Sequence, residues 1–413
     1  PYPVPNFRVD SHAAYTNNGP AGAFRGFGVS QSCFAVERNM DILAAELGID
    51  PVELRRRNAL EVGSTTATGQ IMRESVGLPE CIERVDADMR AGDFRWSWDE
   101  GHHRYAWGLA IGYKNTGLGG GAPDKATAEV EAWQDPEKGL VAEVRISSAE
   151  MGQGLPGVLA ACAAEELGIA TDNVSVLLGD TDVCPDGGPT TASRQTFVSG
   201  NATRLAAQDV AQKLVAAPGT RVVAQHEYWA PKTRPLGTGG DMHVAFSFAA
   251  QAALCAIDMR TGEVEVKRIV AAHDVGRAIN PLTLEGQIEG GIVMCIGYAL
   301  TEHYIQEDGK PWTNVMARYK TPSITHAPSI TSHIVEHELS TGPFGAKGMG
   351  ELPSIPTSAA ITNAICNATG VRVRSLPVDQ DELLRAMRAG DDDVERGWGD
   401  RGPIPVVEFG GEQ

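Results

Sequence analysis

The length and composition of the chain are those of a folded protein. Its 413 residues are 42% hydrophobic and 21% charged, which suffices for two or three globular domains and excludes a disordered chain. The 53 acidic residues outnumber the 35 basic ones and give a net charge of −18. The sequence has no cluster of lysine and arginine with interleaved aromatic residues, so no nucleic-acid partner is expected. The longest apolar run, near residues 290–300, is too short to span a bilayer.

Seven cysteines are scattered along the chain without a C-x-x-C pair. This spacing argues against a zinc site, an iron–sulfur cluster and a disulfide framework in this chain. We therefore predict a cytoplasmic protein whose thiols are mostly buried.

Two helices are predicted near the N-terminus. Apolar residues recur at helical spacing over residues 28–47, and Gly48 ends the pattern. Asp50, followed by proline, is typical of the cap and first turn of a short helix over residues 50–57. Residues 60–100 are predicted to be irregular.

A β-hairpin, a helix and a strand are predicted next. Residues 127–133 and 141–147 alternate between apolar and polar side chains on either side of a turn that contains proline and glycine. A helix is predicted over residues 155–167, where a glycine ends it, and a strand over residues 174–178. The order is strand, helix, strand, with a Gly-Gln-Gly turn between the first two.

A similar order recurs further along the chain. After a helix predicted over residues 194–216 with Ser193 as its cap, a second hairpin is predicted from residues 253–258 and 264–270. It leads into a helix over residues 283–300. We interpret this recurrence as a weak internal duplication and predict an α+β (mixed α/β) fold with two similar subdomains.

The segment from Lys347 to Pro353, Lys-Gly-Met-Gly-Glu-Leu-Pro, is the most informative part of the chain. Glycine before Glu351 lets the backbone approach a bulky ligand, and the proline after it stiffens the exit. A helix capped by Thr357 or Ser358 is predicted to follow. The Glu351 carboxylate therefore precedes a helix, in a position to meet a ligand.

Three other segments combine glycine with polar or aromatic residues: 23–28, 150–154 and 189–194. The last two precede predicted helices, whose unpaired N–H groups form ready-made anion sites. With the Lys347 segment, they resemble in order the molybdenum hydroxylases, the family of xanthine dehydrogenase and aldehyde oxidoreductase. The resemblance extends over residues 2–387 and corresponds to the C-terminal half of that family's molybdenum subunit.

The resemblance implies a site for molybdopterin, in its cytosine dinucleotide form and with a sulfido or selenido ligand on molybdenum. No side chain need ligate the metal, because the pterin dithiolene holds it. The residues expected to bind the cofactor are Ala23, Phe24, Arg25, Gly26, Gly152, Gln153, Gly154, Thr191, Ala192, Ser193, Arg194, Asn280, Gln287, Lys347, Gly348, Met349 and Gly350.

The implied reaction is oxidative hydroxylation at an electron-poor carbon, with oxygen derived from water. Glu351 is expected to act as general base, Gln153 to lie near the oxo ligand of the metal, and Arg25 to stand beside the pocket. Phe27 and Tyr113 are predicted pocket walls. The substrate would be an N-heteroaromatic such as a purine or nicotinate; the alternative is an aldehyde. In an alternative of another class, the chain is a non-catalytic scaffold or cofactor-carrying subunit.

Partners follow from the same resemblance. Residues 1–60 would be the C-terminal segment of a first molybdopterin-binding domain, residues 61–388 a second such domain, and residues 389–413 an acidic, glycine- and proline-rich tail. A second molybdopterin subunit would carry the N-terminal half, as in split enzymes such as nicotinate dehydrogenase. A 2Fe–2S subunit and an FAD subunit would carry the electrons away.

Overall fold

The computed structural model describes residues 1–19 and 21–389 and the backbone of residues 393–394. Apart from residue 389 and that backbone, the predicted acidic tail lies outside the described residues. The helices of the described part are α1 (Val29–Leu47), α2 (Pro51–Asn58), α3 (Leu78–Met89), α4 (Leu155–Leu167), α5 (Gln195–Ala216), α6 (Pro281–Leu300), α7 (Met316–Tyr319), α8 (Thr357–Thr369) and α9 (Gln380–Ala389). Among these helices, none has the length and apolar content needed to cross a membrane.

Two mixed sheets form the frame of the molecule. The strands are β1 (Ser97–Glu100), β2 (His103–Thr116), β3 (Lys125–Asp135), β4 (Gly139–Ile146), β5 (Val174–Leu178), β6 (Val222–Trp229), β7 (Ala245–Asp258), β8 (Val264–Asp274), β9 (Gln306–Glu307), β10 (Lys310–Pro311), β11 (Ser329–Val335), β12 (Arg372–Val373) and β13 (Asp393–Val394). The larger sheet has the order β1-β2-β7-β8-β11 and the smaller one β5-β4-β3-β6. Short pairs join β9 to β10 and β12 to β13. The predicted α+β class is confirmed.

The predicted duplication is confirmed in the topology. In the smaller sheet the β3–β4 hairpin is followed by α4, by β5 parallel to β4, and by α5. In the larger sheet the β7–β8 hairpin is followed by α6, by β11 parallel to β8, and by α8. The loop after β4 in the smaller sheet therefore corresponds to the loop after β8 in the larger one, and the loop after β5 corresponds to the loop after β11.

Helices cover both faces of the larger sheet. One face packs on α6 and α8, and the other on α3, while α4 and α5 cover the smaller sheet. The contact of β2 with α8 is close enough to require glycine: a Cβ on Gly108 would lie 2.1 Å from the amide nitrogen of Ala364. This close approach fixes the depth at which α8 sits on the sheet.

Helix α3 lies within the region predicted to be irregular, so that prediction is wrong. Its residues Leu78, Cys81, Ile82, Val85 and Met89 are buried on one face. Their spacing follows the helical period, so the signal was present in the sequence. Its short length and its charged outer face concealed it.

Two predicted helix caps are also wrong. Helix α5 begins at Gln195 without a side-chain cap, and Ser193 instead bonds to Glu351. Helix α8 begins at Thr357, also without a side-chain cap. The Thr357 hydroxyl donates to Oε1 of Gln251 at 2.6 Å, in the interior of the larger sheet. In both cases the hydroxyl group donates a hydrogen bond to a residue distant in sequence.

A buried ionic network attaches the first two helices to the larger sheet. Nε of Arg55 lies 2.7 Å from Oε2 of Glu37, and both side chains are fully buried. The same carboxylate oxygen accepts the amide of Ile111 at 2.9 Å, and Asp41 pairs with the Arg55 guanidinium at 2.7 Å. Burial alone would lower the pKa of Arg55, but the two carboxylates raise it well above its usual value.

Replacing Arg55 by Met should destabilise the protein strongly. The change leaves two buried carboxylates without a cation, and breaking a buried pair in this way costs about 3–5 kcal/mol. Arg57→Met in the same helix removes a guanidinium that is 61% exposed and should change the unfolding free energy by less than about 0.5 kcal/mol. Chemical unfolding monitored by tryptophan fluorescence measures both. Equal effects of the two variants would contradict the assigned role of the network.

Candidate functional site

A cavity of about 720 Å³ opens where the loops of the two similar units meet. It is lined by segments that directly precede α1, α4, α5 and α6 and by the segment that leads into α8. The predicted site residues that line it are Ala23, Phe24, Arg25, Gly152, Gln153, Thr191, Ser193, Arg194, Asn280, Gln287, Lys347, Gly348, Met349, Gly350 and Glu351. Residues spread over more than 300 positions of the sequence are thus brought together.

The remaining predicted residues do not line the cavity. Gly26 is buried in the turn before α1, and Phe27 projects outward with 68% of its surface exposed. Gly154 immediately precedes α4, and Ala192 lies in the turn before α5. Tyr113 packs on Phe246 and Phe248, away from the cavity. Tyr113 therefore does not line this cavity: successive residues of a strand point to opposite faces, and Tyr113 faces the α3 side.

The segment from Lys347 to Glu351 is held by contacts with three strands of the larger sheet, β2, β7 and β8. Nζ of Lys347 lies 2.6 Å from Oδ2 of Asp274, and both side chains are fully buried. Burial lowers the pKa of Lys347, and the Asp274 charge opposes this effect. The Gly348 amide donates to Thr116 at 3.2 Å, and its carbonyl accepts from Ser247 at 2.7 Å.

The Glu351 carboxylate is partly buried and paired. Its side chain is 17% exposed, and Oε2 lies 3.1 Å from Nζ of Lys114, which is 5% exposed. Oε2 also accepts from the Ser193 hydroxyl at 3.2 Å, and the Glu351 amide donates to the same hydroxyl at 3.1 Å. Lys114 was not predicted. The available signal was a single lysine beside an apolar stretch of a long strand.

Arg25 joins three of the segments that line the cavity. Its Nε donates to the Gly350 carbonyl at 2.5 Å, and its Nη2 donates to Oε1 of Gln287 at 2.9 Å. The Gln287 amide in turn donates to the Gly152 carbonyl at 3.4 Å. Burial lowers the pKa of Arg25, and the nearby Glu351 charge opposes it.

The N-terminus of α4 is already occupied by a carboxylate of the chain. Glu150 accepts the amides of Gly152 at 2.6 Å, Gly154 at 3.0 Å and Leu155 at 2.7 Å. The predicted anion site before Leu155 is therefore filled, because a neighbouring side chain supplies the negative charge that the helix start favours. Gln153 folds back onto its own loop through two hydrogen bonds.

Two further predicted side chains make their polar contacts within the protein. The guanidinium of Arg194 is buried and lies 2.7 Å from Asp124, with further hydrogen bonds to backbone carbonyls. Oδ1 of Asn280 caps α6 by accepting the amide of Thr283 at 3.2 Å. The start of α5, which has no side-chain cap, is left with first-turn amides beside the cavity.

This donor set fits a flat cofactor that carries phosphate. The first turn of α5 offers amides to an anion, and a Cβ on Gly152 would meet no atom within 4 Å, so the loop before α4 leaves open space. The cavity volume lies within the range of small-molecule sites, about 300–1,000 Å³. Fold and site together define a cofactor-binding module with a carboxylate, Glu351, at its wall.

The chain belongs to the molybdopterin cofactor-binding domain family. A model described as molybdopterin cofactor-binding domain matches residues 80–227 and 215–328, and a second model of the same description matches residues 1–59. Of the residues expected to bind the cofactor, those from Ala23 to Gly26 and from Gly152 to Gln287 lie within the matched ranges, and Lys347 to Gly350 lie outside them.

Similar proteins and structures agree with this assignment. The chain is 33% identical to the aldehyde oxidoreductase of Megalodesulfovibrio gigas, with 94% of this chain and 44% of that protein covered. It is 32% identical to the gamma subunit of the 6-hydroxypseudooxynicotine dehydrogenase complex of Paenarthrobacter nicotinovorans, with 93% and 54% covered. The crystal structure of the aldehyde oxidoreductase from Desulfovibrio desulfuricans ATCC 27774 superposes with a TM-score of 0.77 at 33% identity, covering 88% of this chain and 41% of that one. The chain spans about half the length of the curated relatives it matches.

Replacing Gly348 by Ala should disrupt the site. The added Cβ would lie 1.6 Å from the Ser193 carbonyl oxygen, so one of the two loops must move. We expect a fall in the thermal midpoint. Gly286→Ala in α6 is the matched control, because its Cβ meets no atom within 4 Å and alanine is favoured over glycine in helices by about 1 kcal/mol. Differential scanning fluorimetry measures both, and an unchanged midpoint in Gly348→Ala would contradict the close contact.

Proposed function

We propose that this chain is part of the molybdopterin-binding catalytic unit of a multi-subunit hydroxylase. Such an enzyme inserts a water-derived oxygen at an electron-poor carbon, and an N-heteroaromatic such as a purine or nicotinate is the proposed substrate class. The observation that carries the proposal is Glu351: a paired, partly buried carboxylate at the wall of a cavity whose donors suit a pterin.

Each residue has a role that follows from its contacts. Bound molybdopterin would supply the metal centre that accepts two electrons from the substrate. Glu351 would accept a proton beside the reacting carbon, since its carboxylate reaches the cavity. Arg25 would fix the Glu351 loop through Gly350, and the amides at the start of α5 would hold phosphate. Gln153 would turn from its own loop towards the cofactor.

The finer features of the cofactor and its partners are proposed from the family resemblance. They are the cytosine dinucleotide form, a sulfido or selenido ligand on molybdenum, and 2Fe–2S and FAD subunits that receive the electrons. All seven cysteines have free thiols, which supports the proposal of a cytoplasmic enzyme.

An exposed segment supports the proposal of a second molybdopterin subunit. Residues 3–19 are all exposed, including the apolar side chains of Phe7, Val9 and Tyr15. Helix α1 adds Leu43 and Leu47, which are 45% and 56% exposed. Exposed apolar groups in this number favour a protein partner. We propose that the partner carries the other half of the cofactor site.

One alternative has a specific observation in its favour. The aldehyde oxidoreductase of Megalodesulfovibrio gigas is 33% identical to this chain, so an aldehyde is the second candidate substrate. Glu351 would serve as base in either case.

Native purification through a tag on this chain tests the proposal. We expect molybdenum and iron by elemental analysis, together with additional subunits identified by mass spectrometry, because electrons must leave the site through other cofactors. Selenium analysis distinguishes a selenido from a sulfido ligand. A chain purified without molybdenum or partners, from cells that make active molybdenum enzymes, would favour the scaffold alternative.

Glu351→Gln should lower turnover by about 10²–10⁴-fold, the usual contribution of a general base. Molybdenum content should stay at the wild-type level, because the carboxylate acts on the reacting proton. Steady-state kinetics with heteroaromatic and aldehyde substrates give the measurement. Glu165→Gln, at an exposed position of α4, is the control. Near wild-type turnover in Glu351→Gln with full molybdenum would remove Glu351 from the mechanism.

A further inference from the structure

A buried lysine lies behind the candidate base. Lys114 is on β2, does not line the cavity, and approaches Oε2 of Glu351 to 3.1 Å. Its Nζ also donates to Oδ1 of Asn115 at 2.6 Å. Because the lysine is 5% exposed and the glutamate 17%, water screens this pair much less than a surface ion pair.

We propose that Lys114 is a positioning residue for Glu351. Lys114 and Ser193 both hold Oε2. Within the part of the chain that the structure describes, Oε1 accepts no hydrogen bond, so it is the oxygen left to take a proton. This inference rests on the proposed function, in which Glu351 is the base.

The contact with Lys114 fixes one oxygen of the Glu351 carboxylate, because Nζ of Lys114 lies 3.1 Å from Oε2. Two further titratable groups interact with this pair: Arg25, before α1, with Glu351, and His243, before β7, with Lys114. Burial, and after it the Lys114 charge, lower the pKa of His243 to about 4, so above that pH His243 is neutral and adds no positive charge beside Lys114.

Steady-state kinetics of the purified complex test this role. In Lys114→Met kcat should fall by up to about 10²-fold, the cost of a misplaced reacting group, while KM changes little. Lys114→Arg should restore most of the wild-type kcat, because its guanidinium can donate to the same carboxylate oxygen. If the Met variant does not accumulate, Lys114→Gln replaces it. A wild-type kcat in the uncharged variants, or a lower kcat that Lys114→Arg does not restore, would overturn the proposal.

Thermal unfolding of the same complexes gives a readout that does not depend on turnover. Lys114→Met should lower the midpoint in the wild-type background, where it leaves a partly buried carboxylate unpaired, and lower it less in the Glu351→Gln background. Lys125→Met, with and without Glu227→Gln, is the matched control, because that pair is about 40% exposed on each side and should show little coupling.

The two measurements separate failure of this inference from failure of the proposed function. If the complex shows no turnover but the midpoints show coupling between Lys114 and Glu351, the pairing is supported and the hydroxylase assignment alone is contradicted. Equal losses in both backgrounds would mean that Lys114 acts on the fold independently of Glu351, and would overturn the inference whatever the activity.

Discussion

The backbone contact between Gly348 and Ser193 is the constraint on which the candidate site depends. At this contact the segment that leads into α8 touches the loop that precedes α5. Helix α8 packs on the larger sheet and α5 on the smaller one. Only through this contact does the Ser193 hydroxyl reach both the amide and the carboxylate of Glu351. Packed interiors transmit displacement instead of absorbing it, so the relative position of the two sheets sets the position of Glu351.

The duplication explains why so many helix starts meet at one cavity. Each unit places two loops after strands and before helices, and the cavity lies where the loops of both units face each other. Two of these starts are satisfied internally, by Glu150 at α4 and by Asn280 at α6. Of the three helix starts at α4, α5 and α6, the start of α5 is the one left to offer amides to an anion.

Buried ion pairs hold the loops that line the cavity. Lys347 pairs with Asp274, and Arg194 pairs with Asp124. Such pairs add little net stability because both charges lose their hydration, but removing one partner is costly. Their effect here is geometric: each fixes a loop of the cavity wall to a strand or to the segment beside it. A site built in this way is already shaped before a ligand arrives.

The sequence by itself determined the features that depend on near neighbours. Helix α1 with its glycine stop, the Asp50 cap of α2, both hairpins, and a carboxylate ahead of α8 all follow from residues a few positions apart. The family resemblance supplied the grouping of the loops, which local patterns could not. Helix α3 was within reach of the same reasoning, because its period is present in the sequence.

Only the tertiary structure decided which of the predicted site residues have their polar groups committed to partners within the protein. Arg194 and Lys347 have partners 70 and 73 residues away, and nothing local distinguishes such a committed side chain from a free one. The same holds for the two faces of β2. Tyr113 and Lys114 are adjacent in this strand, so they point to opposite faces. Tyr113 faces α3, and Lys114 faces the Glu351 segment. These outcomes depend on contacts between distant segments, which form only when the whole chain folds.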